Sequence, residues 1–377
     1  MGGGEVVGEV RVLFLSDTHL GFDLPRAAAL PATRRGEDFF GAFEQAVAPA
    51  LRGEADLLLH GGDVFFRSRV REGVVLRALE IFRAVTAAGV PVVILPGNHE
   101  RSALPFPLYW SFPDLHVIDR PRTVRFDVRG TKIAVSGFPF ERVDLRRKFP
   151  GLLSATSWDR RPADVRLLLM HQTVEGATVG PADFTFRGGA DVLPGRLVPD
   201  RFAAVLSGHI HRAQVLRRDL AGRALGTRVL YAGSTERTSF AERNEPKGVL
   251  RLRVRSTGDG RGRIADALFE ELPARPMAAH DLDFRGVARP EAEAELRRAI
   301  ARCDRTADVR LRVRGPVGEE TAPLLRPASL RRLAPPTMRI EVRFPYSTAR
   351  TRHAFRQAEP KTPIPPSTPP FSSGWSR

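Results

Sequence analysis

The segment 57–63, which reads Leu-Leu-Leu-His-Gly-Gly-Asp, constrains the fold of this chain most strongly. Three consecutive leucines are typical of a short strand that is buried on both faces, as in a sheet covered by helices. Two glycines then end the strand at a tight turn. Asp63 is therefore predicted to lie at the carboxyl end of a parallel strand, where open α/β sheets place their functional groups.

The same pattern, an apolar strand followed closely by polar side chains, recurs at four further places. The predicted strands are 10–15, 90–95, 165–170 and 203–206. The polar side chains that follow them are Asp17 and His19, Asn98 and His99, His171, and His209 and His211. Amphipathic helices are predicted at 37–52 and 72–88, so the first part of the chain has the βαβαβ order of a mainly parallel sheet with right-handed crossovers. Asp17 and His19, spaced i and i+2, are expected to point the same way from an extended stretch.

The middle of the chain has the alternating pattern of antiparallel strands. Short alternating runs are found at 115–118, 123–128 and 132–136, and a hairpin is predicted from 215–216 and 229–231. The alternating segment 248–254 is predicted to close a second sheet.

A change in composition near residues 256–260, Ser-Thr-Gly-Asp-Gly, predicts a linker. It separates a large domain at 8–256 from a small α+β domain at 257–345. The elements predicted in the small domain are strands at 264–272, 308–314 and 338–344 and helices at 291–302 and 323–333. The last segment, 346–377, is rich in Pro, Ser and Thr and is predicted to be a disordered tail.

The chain is strongly basic, with a formal net charge of +16. Residues 251–377 carry 25 basic and 15 acidic side chains, so most of the excess lies in the last third. This charge is consistent with attraction to nucleic acid, or with an arginine-rich coding bias. Cys303 is the single cysteine, which excludes an internal disulfide. No apolar run approaches the ~20 residues that span a bilayer, and a cytoplasmic protein without membrane contact is expected.

The polar side chains that follow these five strands are predicted to converge. A lone histidine at a strand end is more often structural, but five such ends in succession have no comparable structural explanation. The converging set, apart from His99, contains two Asp, one Asn and four His. It exceeds the four ligands of a tetrahedral ion and suits two ions, with Asp63 as the natural bridge. Mixed imidazole and carboxylate ligands favour Mn²⁺, Fe²⁺ or Zn²⁺ over Mg²⁺ or Ca²⁺.

As a set, these motifs resemble those of the calcineurin-like metallophosphoesterases over about residues 10–250. The motifs are D-x-H at 17–19, G-G-D at 61–63, G-N-H-E at 97–100, the isolated His171, and G-H-I-H at 208–211. Within that superfamily, segments 15–21, 208–214 and 231–240 look like those of SbcD-type nuclease subunits of double-strand-break repair complexes and their archaeal counterparts. The resemblance implies a four-layer α/β/β/α sandwich followed by a small α+β DNA-capping domain at 257–345.

The resemblance also implies roles for individual residues. One ion would be held by Asp17, His19, Asp63 and His211, and the other by Asp63, Asn98, His171 and His209. His99 would be catalytic rather than a ligand, stabilising charge or protonating the leaving oxygen near the scissile phosphate. Further implications are Mn²⁺ as cofactor, DNA ends and hairpins as substrate, a homodimer, and an SbcC-type ATPase as partner.

One position departs from the pattern of some nucleases of this family, which carry a second histidine three residues after the bridging aspartate. Here that position is Phe66. Two alternatives to a DNA nuclease remain. The first is a small-molecule phosphomonoesterase or cyclic-nucleotide phosphodiesterase on the same fold, against which the basic charge and the C-terminal unit argue. The second is a non-enzymatic module that tethers DNA or supports an ATPase; Phe66 favours it, and the complete ligand set argues against it.

Overall fold

The computed structural model describes residues 8–23, 34–101, 103–110 and 112–344. The predicted disordered tail, 346–377, lies outside the described residues. The strands are β1 (Glu9–Leu15), β2 (Leu57–His60), β3 (Val92–Ile94), β4 (Leu115–Val117), β5 (Arg122–Val128), β6 (Thr131–Gly137), β7 (Val165–Met170), β8 (Thr173–Val174), β9 (Thr178–Val179), β10 (Phe184–Thr185), β11 (Val192–Leu193), β12 (Ala204–Ser207), β13 (Gln214–Arg218), β14 (Ala224–Tyr231), β15 (Lys247–Arg255), β16 (Arg263–Leu272), β17 (Met277–Asp283), β18 (Asp308–Arg314) and β19 (Arg339–Arg343).

The α-helices are α1 (Gly36–Leu51), α2 (Glu72–Ala87), α3 (Pro107–Trp110), α4 (Leu145–Ala155), α5 (Arg289–Ala301) and α6 (Pro327–Leu333). Short 3₁₀ helices are formed by Gly195–Leu197, Phe240–Glu242 and Ala322–Leu325. None of the helices in the described part of the chain has the length and apolar character needed to cross a membrane.

Two six-stranded sheets form the larger part of the structure. The first has the order β16-β15-β1-β2-β3-β4, and the second has the order β13-β14-β12-β7-β6-β5. The central strands β1, β2 and β3 run parallel to one another, as do β6, β7 and β12. Parallel neighbours bring their carboxyl ends to the same edge, which is where the polar motifs follow.

The side-chain alternation of the central strands explains why the two sheets pack face to face. Val12 and Phe14 of β1 pack in one buried cluster with Leu167 and Leu169 of β7. The intervening Leu13 belongs instead to the cluster on the other face of the first sheet. Each central strand is therefore buried on both faces, as its apolar run predicts.

Helices cover the outer faces of both sheets. On α1, Phe39, Phe43 and Val47 point to the core of the first sheet, where α2 also packs. On the second sheet, Phe149 of α4 packs against Leu168. The layers are helix, sheet, sheet and helix, which confirms the predicted four-layer α/β/β/α sandwich.

Two strands differ from the sequence prediction in their pairing. β4 runs parallel to β3 and extends the first sheet, whereas the alternating pattern predicts an antiparallel strand there. β15 pairs antiparallel with β1 in the first sheet, so the expectation that it closes the second sheet is wrong. Pairing depends on which edge is open after the helices have packed, and a local alternating pattern does not contain that information.

The boundary between the compact units also lies later than expected. β16 pairs with β15 along its length and forms the edge of the first sheet, although its position after the predicted linker assigned it to the small domain. The chain divides between Met277 and Ala278. The glycine-rich segment near 258–262 is accordingly a hairpin loop between β15 and β16 and not a linker between domains.

The C-terminal unit is a small α+β structure of its own. Its sheet has the order β17-β18-β19, and α5 and α6 contribute to a single buried cluster with it. Val309, Leu311 and Val313 of β18 alternate into that core. The predicted α+β character of this part of the chain agrees with the structure.

Candidate metal centre

The loops after β1 and β2 run side by side and fix the backbone of the site. The amide of Asp17 donates to the Gly62 carbonyl at 2.9 Å, and the amide of His19 donates to the Asp63 carbonyl at 3.0 Å. Asp17, His19, Asp63 and His209 all have positive φ, at 55°, 46°, 53° and 80°. Asp17 and His19 therefore lie in a tight loop, and the expected extended stretch is wrong. Such backbone conformations are uncommon for residues other than glycine and are concentrated at functional sites.

Two motif glycines are required by the close approach of neighbouring groups. Gly62 has a φ of 98°, and a Cβ there would lie 2.5 Å from Nδ1 of His171. A Cβ on Gly97 would collide with the carboxylate of Asp63. The glycines of G-G-D and G-N-H-E thus allow two loops to converge on one aspartate.

Asp17, His19 and His211 form one side of the site. Nε2 of His19 lies 3.0 Å from Nε2 of His211, and Nε2 of His211 lies 3.7 Å from Oδ1 of Asp17. The carboxylate of Asp17 also accepts the backbone N–H of His209 at 3.1 Å. These contacts join the loop after β1 to the loop after β12.

Asn98, His171 and His209 form the other side. Oδ1 of Asn98 lies 3.0 Å from Nε2 of His171 and 2.8 Å from Nδ1 of His209. Nε2 of His171 lies 3.4 Å from Oδ2 of Asp63. Asp63 stands between the two sides, because it is grouped with Asp17 and His171 and also with His19 and His99.

Outer contacts fix which ring nitrogen of each histidine faces the centre. Nδ1 of His171 lies 2.7 Å from the Gly61 carbonyl oxygen, so Nδ1 carries a proton and Nε2 is the ring nitrogen that faces the centre. Nδ1 of His211 lies 3.2 Å from a carboxylate oxygen of Glu242 and is fixed in the same way. Such outer acceptors are the usual means by which proteins orient metal-binding imidazoles.

Burial and mutual charge shift the pKa values of the converging groups. Burial would raise the pKa of Asp63, but the His171 imidazole, with His19 and His99, holds it far below its ordinary value. Burial would lower the pKa of His171, but Asp63 and Asp17 raise it to about 9. Burial lowers the pKa of His209 to about 3, and it raises that of Asp17.

His99 is held at the edge of this group. Its Nδ1 lies 2.8 Å from the carbonyl oxygen of Phe66, and its Nε2 lies 3.9 Å from Oδ2 of Asp63. The Phe66 ring packs edge-on to His19 with centroids 5.9 Å apart. Phe66 therefore supplies a backbone acceptor and an apolar wall at the position where some nucleases of the resembled family carry an imidazole.

Several buried polar residues that support the site were not assigned from the sequence. Glu100 joins two motif loops, since its oxygens accept the amides of Phe65 and Gly97, each at 2.7 Å. Its pKa is raised to about 8, mainly by burial and further by Asp63. For Glu100, the available sequence signal was its place as the fourth residue of the G-N-H-E motif. Glu242 and Lys247 had no comparable signal, because charged side chains are normally exposed.

His60 is also buried beside the site, and its sequence context predicted no role for it. The amide of Gly62 donates to its Nδ1 at 3.2 Å, and its Nε2 lies 3.0 Å from the Thr18 hydroxyl. The Thr18 hydroxyl itself donates to the Val64 carbonyl. His60 is thus a neutral imidazole with both nitrogens satisfied, and burial lowers its pKa to about 3.

The donor set fits two divalent cations. Three groups of carboxylate and imidazole atoms have members within 4.8 Å of one another: Asp17, His19 and His211; His19, Asp63 and His99; and Asp17, Asp63 and His171. Nδ1 of His19 is buried and has no hydrogen-bond partner within the described residues. Two buried carboxylates in one site also need positive charge nearby.

A family model for calcineurin-like phosphoesterases matches residues 10–213. The chain therefore belongs to the calcineurin-like phosphoesterase family, which confirms the family resemblance of its motifs. Proteins of this family use two divalent metal ions.

Among curated proteins, the chain is similar to archaeal counterparts of the SbcD-type subunits. One is DNA double-strand break repair protein Mre11 from Haloferax volcanii, 29% identical over 279 residues, which are 73% of this chain and 55% of that protein. Another is Mre11 from Thermoplasma acidophilum, 23% identical over 248 residues, which are 63% of this chain and 59% of that protein. The chain spans about half the length of the curated relatives it matches. A solved dimetal phosphatase from Danio rerio has a TM-score of 0.39 at 12% identity, covering 69% of this chain and 98% of that one.

Proposed function

We propose that this chain is a metal-dependent DNA phosphodiesterase, an SbcD-like nuclease that acts on double-stranded ends and hairpins. The observation that carries the proposal is the convergence of two aspartates, one asparagine and four histidines beside His99. The similar repair proteins support DNA as the substrate class.

The proposed ligands of one ion are Asp17, His19, Asp63 and His211, and those of the other are Asp63, Asn98, His171 and His209. Two divalent ions held there would polarise the phosphoryl oxygen and generate a nucleophile from water at neutral pH. We propose Mn²⁺ for both positions, because imidazole mixed with carboxylate suits Mn²⁺ better than Mg²⁺; Fe²⁺ and Zn²⁺ share this ligand preference. The neutral oxygen of Asn98 limits the negative charge that faces a phosphate.

His99 is the proposed general acid. Its Nδ1–H donates to the Phe66 carbonyl, which leaves Nε2 as the atom that carries the transferable proton. In the imidazolium form, both ring nitrogens are donors. Nε2 would donate its proton to the ribose oxygen that leaves as the phosphodiester bond breaks.

The C-terminal unit is proposed to contact the DNA backbone through arginines of its helices. Seven exposed arginines on or beside α5 and α6 have no carboxylate partner within the described residues: Arg289, Arg298, Arg302, Arg305, Arg326, Arg331 and Arg332. The sheet arginines differ, since Arg310 pairs with Glu341 and Arg312 with Asp281. Arginines without a carboxylate partner on one small unit suit phosphate contacts that do not read sequence.

Two partners are proposed in addition to DNA. Phe106 and Trp110 are 74% and 76% exposed, with ring centroids 6.3 Å apart, and a second copy of this chain would cover them. An adjacent pair of large exposed aromatic residues is typical of an association surface. An SbcC-type ATPase is the further proposed partner, supported by the similarity to repair proteins.

Incubation of the purified chain with end-labelled duplex and hairpin DNA, in Mn²⁺ or Mg²⁺, tests the proposal. We expect Mn²⁺-dependent cleavage of both substrates, with and without an added ATPase subunit. Hydrolysis of a nitrophenyl phosphodiester without any cleavage of DNA would favour a small-molecule phosphodiesterase. Binding of DNA without hydrolysis of either substrate would favour a non-enzymatic module.

A further inference from the structure

Glu242 and Lys247 form a buried ion pair directly behind the candidate metal centre. Their relative exposures are 7% and 1%, and the carboxylate oxygen Oε2 lies 2.6 Å from the ammonium nitrogen. Neither residue belongs to the proposed ligands. Burial of a charged pair costs solvation free energy, so such a pair requires compensating contacts or a function.

One carboxylate oxygen of Glu242, on the side of the metal centre, accepts hydrogen bonds from three side chains. Oε1 lies 3.2 Å from Nδ1 of His211, 2.6 Å from the Thr238 hydroxyl and 3.2 Å from the Ser239 hydroxyl. The two hydroxyls hold the carboxylate in place, and the third contact reaches the ring of a proposed ligand. The carboxylate can only accept, so Nδ1 of His211 must carry a proton.

Lys247 fixes the same histidine through its backbone. Its ammonium donates to the carbonyl oxygen of His211 at 2.9 Å and to the Ser234 hydroxyl at 2.9 Å. The ring and the main chain of His211 are therefore both tied to one buried ion pair. With Nδ1 protonated, the lone pair lies on Nε2, which faces Nε2 of His19 at 3.0 Å.

We propose that Glu242 and Lys247 are positioning residues that fix the tautomer and orientation of His211, and thereby set the metal affinity of one of the two positions. This inference rests on the proposed function, because it takes His211 as a ligand. Lys247 neutralises the carboxylate and limits its movement, whereas Glu242 acts on the ring. Neither residue touches the substrate or the reacting atoms.

The test compares Glu242→Gln with Glu245→Gln in the full-length protein. A glutamine at 242 would give its carbonyl to Lys247 and turn its NH₂ group to Nδ1 of His211. This arrangement favours the tautomer of His211 that carries its proton on Nε2. In that tautomer, Nε2 has no lone pair to offer to a metal ion. Glu245 is the matched control, because it is similarly buried at 8% exposure and lies 3.7 Å from Lys247, but its side chain pairs with Arg212 and not with a proposed ligand.

Metal-free protein is titrated with Mn²⁺ by calorimetry, and ¹⁵N shifts of the His211 ring report its tautomer. We expect Glu242→Gln to weaken one of two Mn²⁺ sites by about 10–100-fold, the usual effect of losing an outer acceptor. The second site should change little. Glu245→Gln should keep both affinities and the Nδ1–H tautomer.

Unchanged Mn²⁺ affinities in a folded Glu242→Gln variant would overturn the inference, and so would equal weakening of both sites. If that variant fails to fold, Thr238→Val removes only one hydroxyl that holds the carboxylate, and it should still weaken the same single site. An unaltered titration of folded Thr238→Val would then contradict the inference. Wild-type protein that binds fewer than two ions would contradict the proposed function itself, which is a separate outcome.

Discussion

Two fully buried aspartates, one in each compact unit, have different partners. In the C-terminal unit, Asp308 is fully buried and pairs with Nη1 of Arg339 at 2.9 Å. In the first unit, Asp17 is equally buried, yet the basic side chains that act on it are histidines, with Nε2 of His211 at 3.7 Å. The carboxylate of Asp308 is neutralised by an arginine of the same chain. The carboxylate of Asp17 lies in a group of side chains that suits a bound metal cation.

The two units also differ in their candidate metal-binding groups and in their exposed arginines. All three groups of side chains that could hold a metal in the described residues lie in the first unit. The C-terminal unit has a small core of its own, and its arginines without a carboxylate partner lie on the outside of its helices. We propose that chemistry and DNA contact are divided between the units, and changing each unit separately tests this division.

The largest effect is expected from Asp63→Asn. Asp63→Asn removes the negative charge that the two proposed metal positions share, and the transition state loses several kcal/mol of stabilisation. Hydrolysis of DNA and of a nitrophenyl phosphodiester should therefore fall by about 10⁴-fold or more. The fold should be retained, because the substitution is isosteric. The matched control is Asp308→Asn, which should lower the stability of the C-terminal unit and leave nitrophenyl ester hydrolysis intact. Rate assays and thermal unfolding of both variants check this, and full activity of Asp63→Asn would refute the two-ion assignment.

The next effect is expected from His99→Ala. If His99 is the general acid, its removal should lower the rate of DNA cleavage by about 10²–10⁴-fold. Metal content should stay at the wild-type value, because His99 is not a proposed ligand. Metal analysis beside single-turnover rates checks both statements. A missing ion in this variant would show that His99 is a ligand, as its proximity to His19 and Asp63 also allows.

A smaller effect is expected from the arginines of the C-terminal unit that have no carboxylate partner. The triple change of Arg298, Arg302 and Arg305 to Gln should flatten the slope of log K against log salt by up to about 2.7, roughly 0.9 for each phosphate that is no longer neutralised. Arg297→Gln is the control on the same helix, since Arg297 already pairs with Glu293. Duplex binding measured across salt concentrations distinguishes them. Equal slopes for the triple variant and wild type would assign the basic excess to composition alone.

The smallest effect is a pH dependence of stability in the first unit. The folded state holds the pKa of His60 at about 3, well below the ~6.5 of an unfolded histidine. The stability that His60 contributes to the folded state is therefore fully present above pH 6.5, and it is lost as the pH falls towards 3. Between pH 7 and pH 5 the free energy of unfolding should fall by about 2 kcal/mol through this residue.

Denaturant unfolding of His60→Gln at both pH values measures this contribution. The variant should lose about 2 kcal/mol less than wild type over that interval. Identical pH dependence in wild type and His60→Gln would show that His60 is not held neutral.

The central strands and the converging motifs were predictable from the sequence, because both depend on local patterns. The leucines at 57–59 are buried on both faces, and Asp63 follows at the edge of the sheet. The outer strands were not predictable in the same way. The sequence of β16 predicts an ordinary strand, and only the open edge of β15 determines that it belongs to the first sheet.

The supporting residues of the site show a second limit of local patterns. Glu242 ends a short 3₁₀ helix and Lys247 begins β15, and charged side chains at such positions are normally exposed. Their burial follows from the packing of this segment behind His211, which lies 31 and 36 positions away from them in the sequence. The positive φ angles of Asp17 and His19 are likewise imposed by pairing with the Asp63 loop. A local pattern of polar and apolar residues does not show these contacts between segments that are distant in the sequence.

Anomalous scattering from crystals of the full chain grown with Mn²⁺ would decide whether Asp63 bridges two metal ions. We expect two manganese peaks about 3.5–4 Å apart. Asp63 should contact both, with Asp17, His19 and His211 on one side and Asn98, His171 and His209 on the other. A single peak, or two peaks that Asp63 does not bridge, would contradict the two-ion assignment.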